Sequence, residues 1–128
     1  MTAALTPASP CAAEYTGRVI AVRGSVVDMR FPGALPPLRQ RLLAGPRAEV
    51  VLEVSEHLAV DTVRGIALTT TQGLARGEPA WDSGEPLTVP VGPALLGRMV
   101  DVFGATIDGG PSLADVERWP IHRPPPSL

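Results

Sequence analysis

Glycine and proline recur so often along this chain that no helix of ordinary length fits between them. The 128 residues carry 13 glycines and 15 prolines. Each proline removes a backbone donor and restricts the residue before it, and glycine supplies turn conformations. Between the breaks lie short runs rich in Val, Ile and Thr, the composition of strands. Several short strands separated by turn signals predict a small closed barrel, an arrangement that leaves no strand edge exposed.

Residues 17–31 are Val- and Ile-rich and break once, at Arg23-Gly24, which predicts two strands meeting at a tight turn. Pro32-Gly33-Ala34-Leu35-Pro36-Pro37 is then a loop. Residues 48–57 alternate, with Val50, Leu52 and Val54 on one side and Glu49, Glu53 and Ser55 on the other, as in a half-buried strand. Residues 62–70 are β-branched at five positions and predict another strand, and residues 78–82 a further one ending at Ser83-Gly84. We place the barrel at residues 15–83, preceded by an arm at 1–14 expected to be disordered. After it, residues 86–91 predict a strand and residues 92–97 one helical turn, with Pro93 near its start and Gly97 at its end. Residues 99–103 predict a strand and residues 107–111 a turn, while Pro120 and Pro124-Pro125-Pro126 argue against regular structure at the end.

Charge and cysteine usage narrow the function. All 11 basic residues are arginines, set against 13 acids for a net charge of -2, and they are spread from Arg18 to Arg123 without a run that would seek a polyanion. The single cysteine, Cys11, has no partner for an internal disulfide, which favours the cytoplasm. No stretch approaches the ~18 consecutive apolar residues of a membrane helix, so contact with a membrane is expected only through a partner. The absence of lysine excludes a P-loop, whose Gly-x-x-x-x-Gly-Lys-Ser/Thr pattern sets an ammonium against the outer phosphates of a nucleotide.

Local candidates for chemistry have plainer readings. His57, His122 and Cys11 are far apart and lack metal-ligand spacing. Glu53 and Glu56 suggest an acid/base pair, but on a regular strand residues three apart point to opposite faces, so both are read as surface. Asp108-Gly109-Gly110 lacks the spacing of a phosphate loop and reads as a hairpin turn. Catalytic, cofactor-binding and metal residues are therefore all assigned as none. Small barrels also bind single-stranded nucleic acid on aromatic platforms over basic grooves. Arg18, Arg23 and Arg30 share a surface in that alternative reading of a stand-alone barrel for nucleic acid or a protein partner, but no aromatic residue is interleaved with them, and we expect no nucleic acid partner.

Four stretches resemble the beta subunit of F-type ATP synthases. They are residues 17–31; Leu52-Glu53-Val54 through His57-Leu58 with Val63-Arg64-Gly65-Ile66-Ala67; Gly73-Leu74-Ala75-Arg76-Gly77; and Val89-Pro90-Val91-Gly92 with Leu96-Gly97-Arg98. The closing Trp119-Pro120-Ile121-His122-Arg123-Pro124 is similar to the segment that leads that subunit toward its P-loop. The resemblance is collinear over residues 15–127. Ala59 stands where the family usually has glycine and Pro125 where alanine is more usual, departures that suggest a divergent or second-copy subunit.

The resemblance implies a mainly β chain. A six-stranded barrel would be followed, at residues 84–128, by the first strands and one short helix of an incomplete α/β nucleotide-binding domain, truncated before the P-loop. It implies a parent that makes or hydrolyses ATP coupled to hydrogen ion or other ion transport by rotary catalysis, with ATP/ADP and Mg bound in the full-length parent and no cofactor in this chain. The implied partners are alpha subunits in an alternating ring and a central stalk, at the cytoplasmic face of the membrane. The 128 residues alone are expected to be inactive and to serve hexamer assembly.

Overall fold

A computed structural model describes residues 16–128. The arm and Cys11 lie outside the described residues. Two compact units divide the chain, one reaching to Glu85 and the other running from Pro86.

The first unit is a closed six-stranded antiparallel barrel. Its strands are β1 (Thr16–Arg23), β2 (Val26–Arg30), β3 (Gln40–Ala44), β4 (Val50–Ala59), β5 (Thr62–Ala67) and β6 (Pro79–Pro86), in the spatial order β1-β2-β5-β4-β3-β6. Gly24 takes φ 62° at the tip of the β1–β2 hairpin, a backbone conformation for which glycine carries no Cβ penalty. Alternation directs Val19, Val27, Met29, Phe31, Leu42, Ala44, Val50, Leu52, Val54, Val63 and Ala80 into one buried cluster. Gly65 faces the same interior, opposite Val27 and Val54, and a Cβ there would stand 2.9 Å from Met29 Cε. Met29 is thus the side chain that fills the space a larger residue 65 would take.

Several elements depart from the sequence reading. Strand β3 has no local signal, because Gln40-Arg41-Leu42-Leu43-Ala44 lacks β-branched residues and has apolar neighbours on both faces. Pairing supplies what propensity lacks: β3 is antiparallel to β4, with Leu42 opposite Leu52. Strand β5 stops at Ala67 rather than residue 70. Beyond it the Thr69 hydroxyl accepts a hydrogen bond from the Val51 N–H at 3.0 Å, a side chain standing in for the ladder. Strand β6 continues through Ser83-Gly84 to Pro86, held by the Ser83 hydroxyl, which donates to the Arg41 carbonyl at 2.7 Å.

In the second unit, β7 (Thr88–Pro90) pairs with β8 (Arg118–Pro120), and a 3-10 turn spans Pro93–Leu95 with proline at its start. The sequence reading excluded regular structure at Pro120. The ribbon tolerates it because Pro120 closes the last position of a strand paired on one side, where its missing N–H breaks no second ladder. The strand expected at residues 99–103 is not formed. Only an isolated bridge joins Val100 to Thr106, because the Asp101 carboxylate turns the chain by accepting from the N–H groups of Phe103 and Ala105 at 2.8 and 2.9 Å.

Candidate assembly surface

With the interior filled, the chemistry available to the barrel lies on its outer face. Strand register places Arg18 opposite Arg30, Ala21 opposite Asp28 and Arg23 opposite Val26, all pointing away from the core. The sequence reading that grouped Arg18, Arg23 and Arg30 on one surface therefore holds. Asp28 is opposite Arg64 on the next strand, and Arg64 opposite Glu56 on the one after.

Asp28 is the centre of this face. It is only 7% exposed, and its carboxylate accepts from Arg23 at 2.6 Å and from Arg64 at 2.8 and 3.2 Å, while Arg64 also reaches Glu56 at 3.6 Å. A desolvated carboxylate needs this pairing, since burial without a partner would cost several kcal/mol or protonate it. The hydrogen bond from Arg64 is the main cause that holds the Asp28 carboxyl below its ordinary value of 3.8, against the opposing effect of burial. The local sequence carried no sign of this cluster. It arises from three strands whose outward positions coincide, two of them 36 residues apart.

Glu53 and Glu56 illustrate a second effect of register. A bulge between Val54 and Glu56 inserts Ser55, so Glu53 lies opposite Ile66 and Glu56 opposite Arg64. Ile66 and Arg64 are two apart on β5 and share its outer side, so the two glutamates point the same way. The expectation of opposite faces is corrected, and the surface assignment stands, since Glu56 is exposed. His57 ends near the barrel rim, where its Nε2 is 2.8 Å from the Pro36 carbonyl oxygen. No group of three or more metal-ligating side chains occurs among the described residues.

An apolar stripe crosses the same outer face. Leu43 lies opposite Val51, the Leu68 N–H donates to the Val51 carbonyl at 2.8 Å, and Ile66 lies opposite Val26. Ile66 and Leu68 are 37% and 40% exposed, so the stripe is not covered within the barrel. Aromatic side chains are placed differently. Phe31 is 1% exposed in the core and Trp81 is half-buried, so among the described barrel residues no aromatic ring stands over the arginines to stack a base.

The second unit is organised by polar turns. Arg98 grips Asp108 with two bonds at 2.8 and 3.2 Å, and the N–H groups of Gly110 and Met99 donate to the same carboxylate. These donors, the Arg98 guanidinium foremost, hold the Asp108 carboxyl far below its ordinary value. Asp108-Gly109-Gly110 is accordingly a turn stitched by its own aspartate. Arg118 spans the ribbon, donating to the Thr88 hydroxyl and carbonyl and to the Phe103 carbonyl at 2.8 Å. Arg123 stacks over the Trp119 ring at 3.8 Å, and the Trp119 Nε1–H donates to Glu117.

A family model described as the beta-barrel domain of the ATP synthase alpha/beta family matches residues 19–84, from within β1 to within β6. The chain belongs to the ATP synthase alpha/beta family. It is similar to ATP synthase subunit beta 1 of Psychromonas ingrahamii, with 55% identity over 112 residues, 88% of this chain and 23% of that protein. A subunit beta 1 from Pseudoalteromonas atlantica is 52% identical over 91% of this chain and 21% of its own length. A subunit beta 2 from Polaromonas naphthalenivorans is 48% identical over 91% of this chain and 24% of its own. The chain thus spans about a fifth to a quarter of the length of the curated relatives it matches, and the likeness to beta subunits reaches past the barrel into the second unit.

Proposed function

We propose that this chain is the N-terminal portion of an ATP synthase beta subunit and that its barrel supplies contacts within an alternating ring of alpha and beta subunits. The carrying observation is the closed barrel with an uncovered apolar stripe at Leu43, Val51, Ile66 and Leu68, flanked by the Asp28 network. Such a face suits a subunit contact: apolar area gives the driving force, and the charged rim fixes orientation. The barrel acts as the assembly domain and the second unit as the lead-in to the nucleotide domain. Catalytic, cofactor and metal residues lie outside these 128 residues, which contain no lysine to serve a P-loop. ATP/ADP and Mg belong to the parent, which makes or hydrolyses ATP coupled to ion transport by rotary catalysis. The parent sits at the cytoplasmic face of the membrane as a peripheral part of the complex, and no helix among the described residues is long and apolar enough to cross a membrane. The numbers 1 and 2 in the relatives' names support the reading of a numbered, second-copy subunit.

Sedimentation of the chain with purified ATP synthase alpha subunit tests the reading. Complex formation is expected at micromolar concentrations, weakened at least about tenfold by Ile66→Glu, which places a charge in the stripe. Calorimetric titration with Mg-ATP is expected to give no heat of binding. Failure to bind the alpha subunit, or micromolar binding of Mg-ATP by the chain itself, would overturn the proposal.

A further inference from the structure

We infer that the barrel carries a binding cleft for a small tetrahedral oxyanion of the phosphate class, formed by Arg18, Arg30 and Arg76. The cleft has a volume of about 270 Å³ and is lined by Thr16, Arg18, Ile20, Arg30, Arg76 and Gly77, with Val19 and Pro32 behind them. Arg18 and Arg30 are direct cross-strand partners. Like charges in that position repel; Asp61 relieves the Arg30 side, and Arg18 is set against a backbone carbonyl rather than a carboxylate. The third guanidinium comes from the loop before β6. That loop is pinned to β1 at two points: the Gly77 N–H donates to the Val19 carbonyl at 2.8 Å, and the Val19 N–H to the Glu78 carbonyl at 2.9 Å. Arg18 Nη1 donates to the Gly77 carbonyl at 2.9 Å, which draws the two segments together.

The charge count favours an anion. Among the described residues, two acids stand near the cleft. Asp61 faces Arg30 at 3.3 Å, and Glu78 is turned back to accept from the Ala75 N–H at 3.0 Å. The three arginines outnumber Asp61 and Glu78, so the cleft keeps a net positive charge that an anion balances. Arg18 uses one of its five N–H donors on Gly77, and Arg30 engages Asp61 through Nε, so both forks retain donors for oxygen atoms. Arginine presents donors in a planar fork that suits tetrahedral oxyanions, and three such forks around one opening provide more donors than a water-filled surface cleft requires.

Titration of the ¹⁵N-labelled 128-residue chain with inorganic phosphate, at ionic strength held constant with chloride, tests the assignment. Saturable amide shifts are expected at Arg18, Ile20, Arg30, Arg76 and Gly77, with half-saturation in the low millimolar range, and the melting temperature should rise with phosphate. Arg76→Gln, an exposed loop substitution, should weaken the affinity about tenfold. Arg47→Gln, at an exposed arginine outside the cleft, should leave it unchanged. Shifts that do not saturate, an equal effect of Arg47→Gln, or equal affinity for succinate would each overturn the inference.

Discussion

Replacing Asp28 by asparagine isolates the charge at the centre of the outer face while keeping its shape. The amide can accept only through one oxygen, and it sets an N–H group against a guanidinium. Two interactions are affected. The bond from Arg23 comes from a side chain that is 61% exposed, so solvent screening reduces it to about 0–1 kcal/mol. The forked bond from Arg64 joins a side chain 31% exposed to a carboxylate side chain 9% exposed, where hydrogen bonds to charged groups contribute about 1.5–3 kcal/mol. Asp28→Asn is therefore expected to cost about 2–3 kcal/mol near neutral pH, dominated by Arg64. For a domain of this size that lowers the melting temperature by roughly 10–20 °C, at about 4–8 °C per kcal/mol. The folded-state pKa of Asp28 lies below its unfolded value, so its contribution is complete above the ordinary carboxylate range and disappears as pH falls through the lower folded value. Urea unfolding of wild type and variant across that acid range checks both magnitude and sign. The wild type should lose its advantage over Asp28→Asn on acidification, and the two should converge. A neutral-pH difference below about 0.5 kcal/mol, the usual span of a plain surface substitution, or a difference that persists unchanged into acid, would refute the reasoning.

Two glycines should respond differently to a single methyl group. A Cβ at Gly17 meets the Arg30 carbonyl oxygen at 2.6 Å and the Phe31 ring at 2.7 Å, so Gly17→Ala must displace backbone and should cost about 1–3 kcal/mol in denaturant unfolding. At Gly65 the closest atom is the flexible Met29 terminus, with Glu53 O and Leu52 Cβ at 3.4 Å, so Gly65→Ala should cost less than Gly17→Ala; the reverse order would contradict the packing described. In the second unit, Asp108→Ala removes the acceptor of the Met99 and Gly110 N–H groups, and hydrogen exchange at those two amides is expected to accelerate while exchange at the barrel amides of Val27 and Val63 is unchanged.

The parts of the barrel that the sequence declares are those where one residue determines its own geometry. Gly24 marks the hairpin tip, Pro32 to Pro37 can only be a loop, and the alternation of Val50, Leu52 and Val54 gives β4 its inward face. What was not legible depends on residues distant in sequence. Strand β3 is a strand because β4 pairs with it, and Gln40-Arg41-Leu42-Leu43-Ala44 has no local pattern that favours extension. The bulge at Ser55 likewise belongs to the pairing of β4 with β5 and is not marked by any glycine at the site, so the common face of Glu53 and Glu56 does not follow from spacing. The same holds for the surface chemistry. Arg18, Arg23 and Arg30 could be grouped because they belong to one hairpin, whereas Asp28 with Arg64, or Arg18 with Arg76, requires the closed topology.

The two units differ in what resists their unfolding. Eleven buried residues form the cluster within the barrel, and at about 1.5–3 kcal/mol for each fully buried large side chain that cluster dominates its stability. From residue 86 onward Leu87, Pro90 and Leu113 are buried, while Leu96, Met99, Val102 and Ile107 remain at least 58% exposed. That unit keeps its shape through side chains serving backbone groups: Asp101 and Asp108 on N–H donors, Arg98 and Arg118 on carbonyl oxygens. Such bonds contribute little each when water can replace them, so they define conformation more than they supply stability. The barrel is therefore held mainly by its apolar interior and the second unit mainly by its polar turns, so denaturants that weaken apolar burial act chiefly on the barrel.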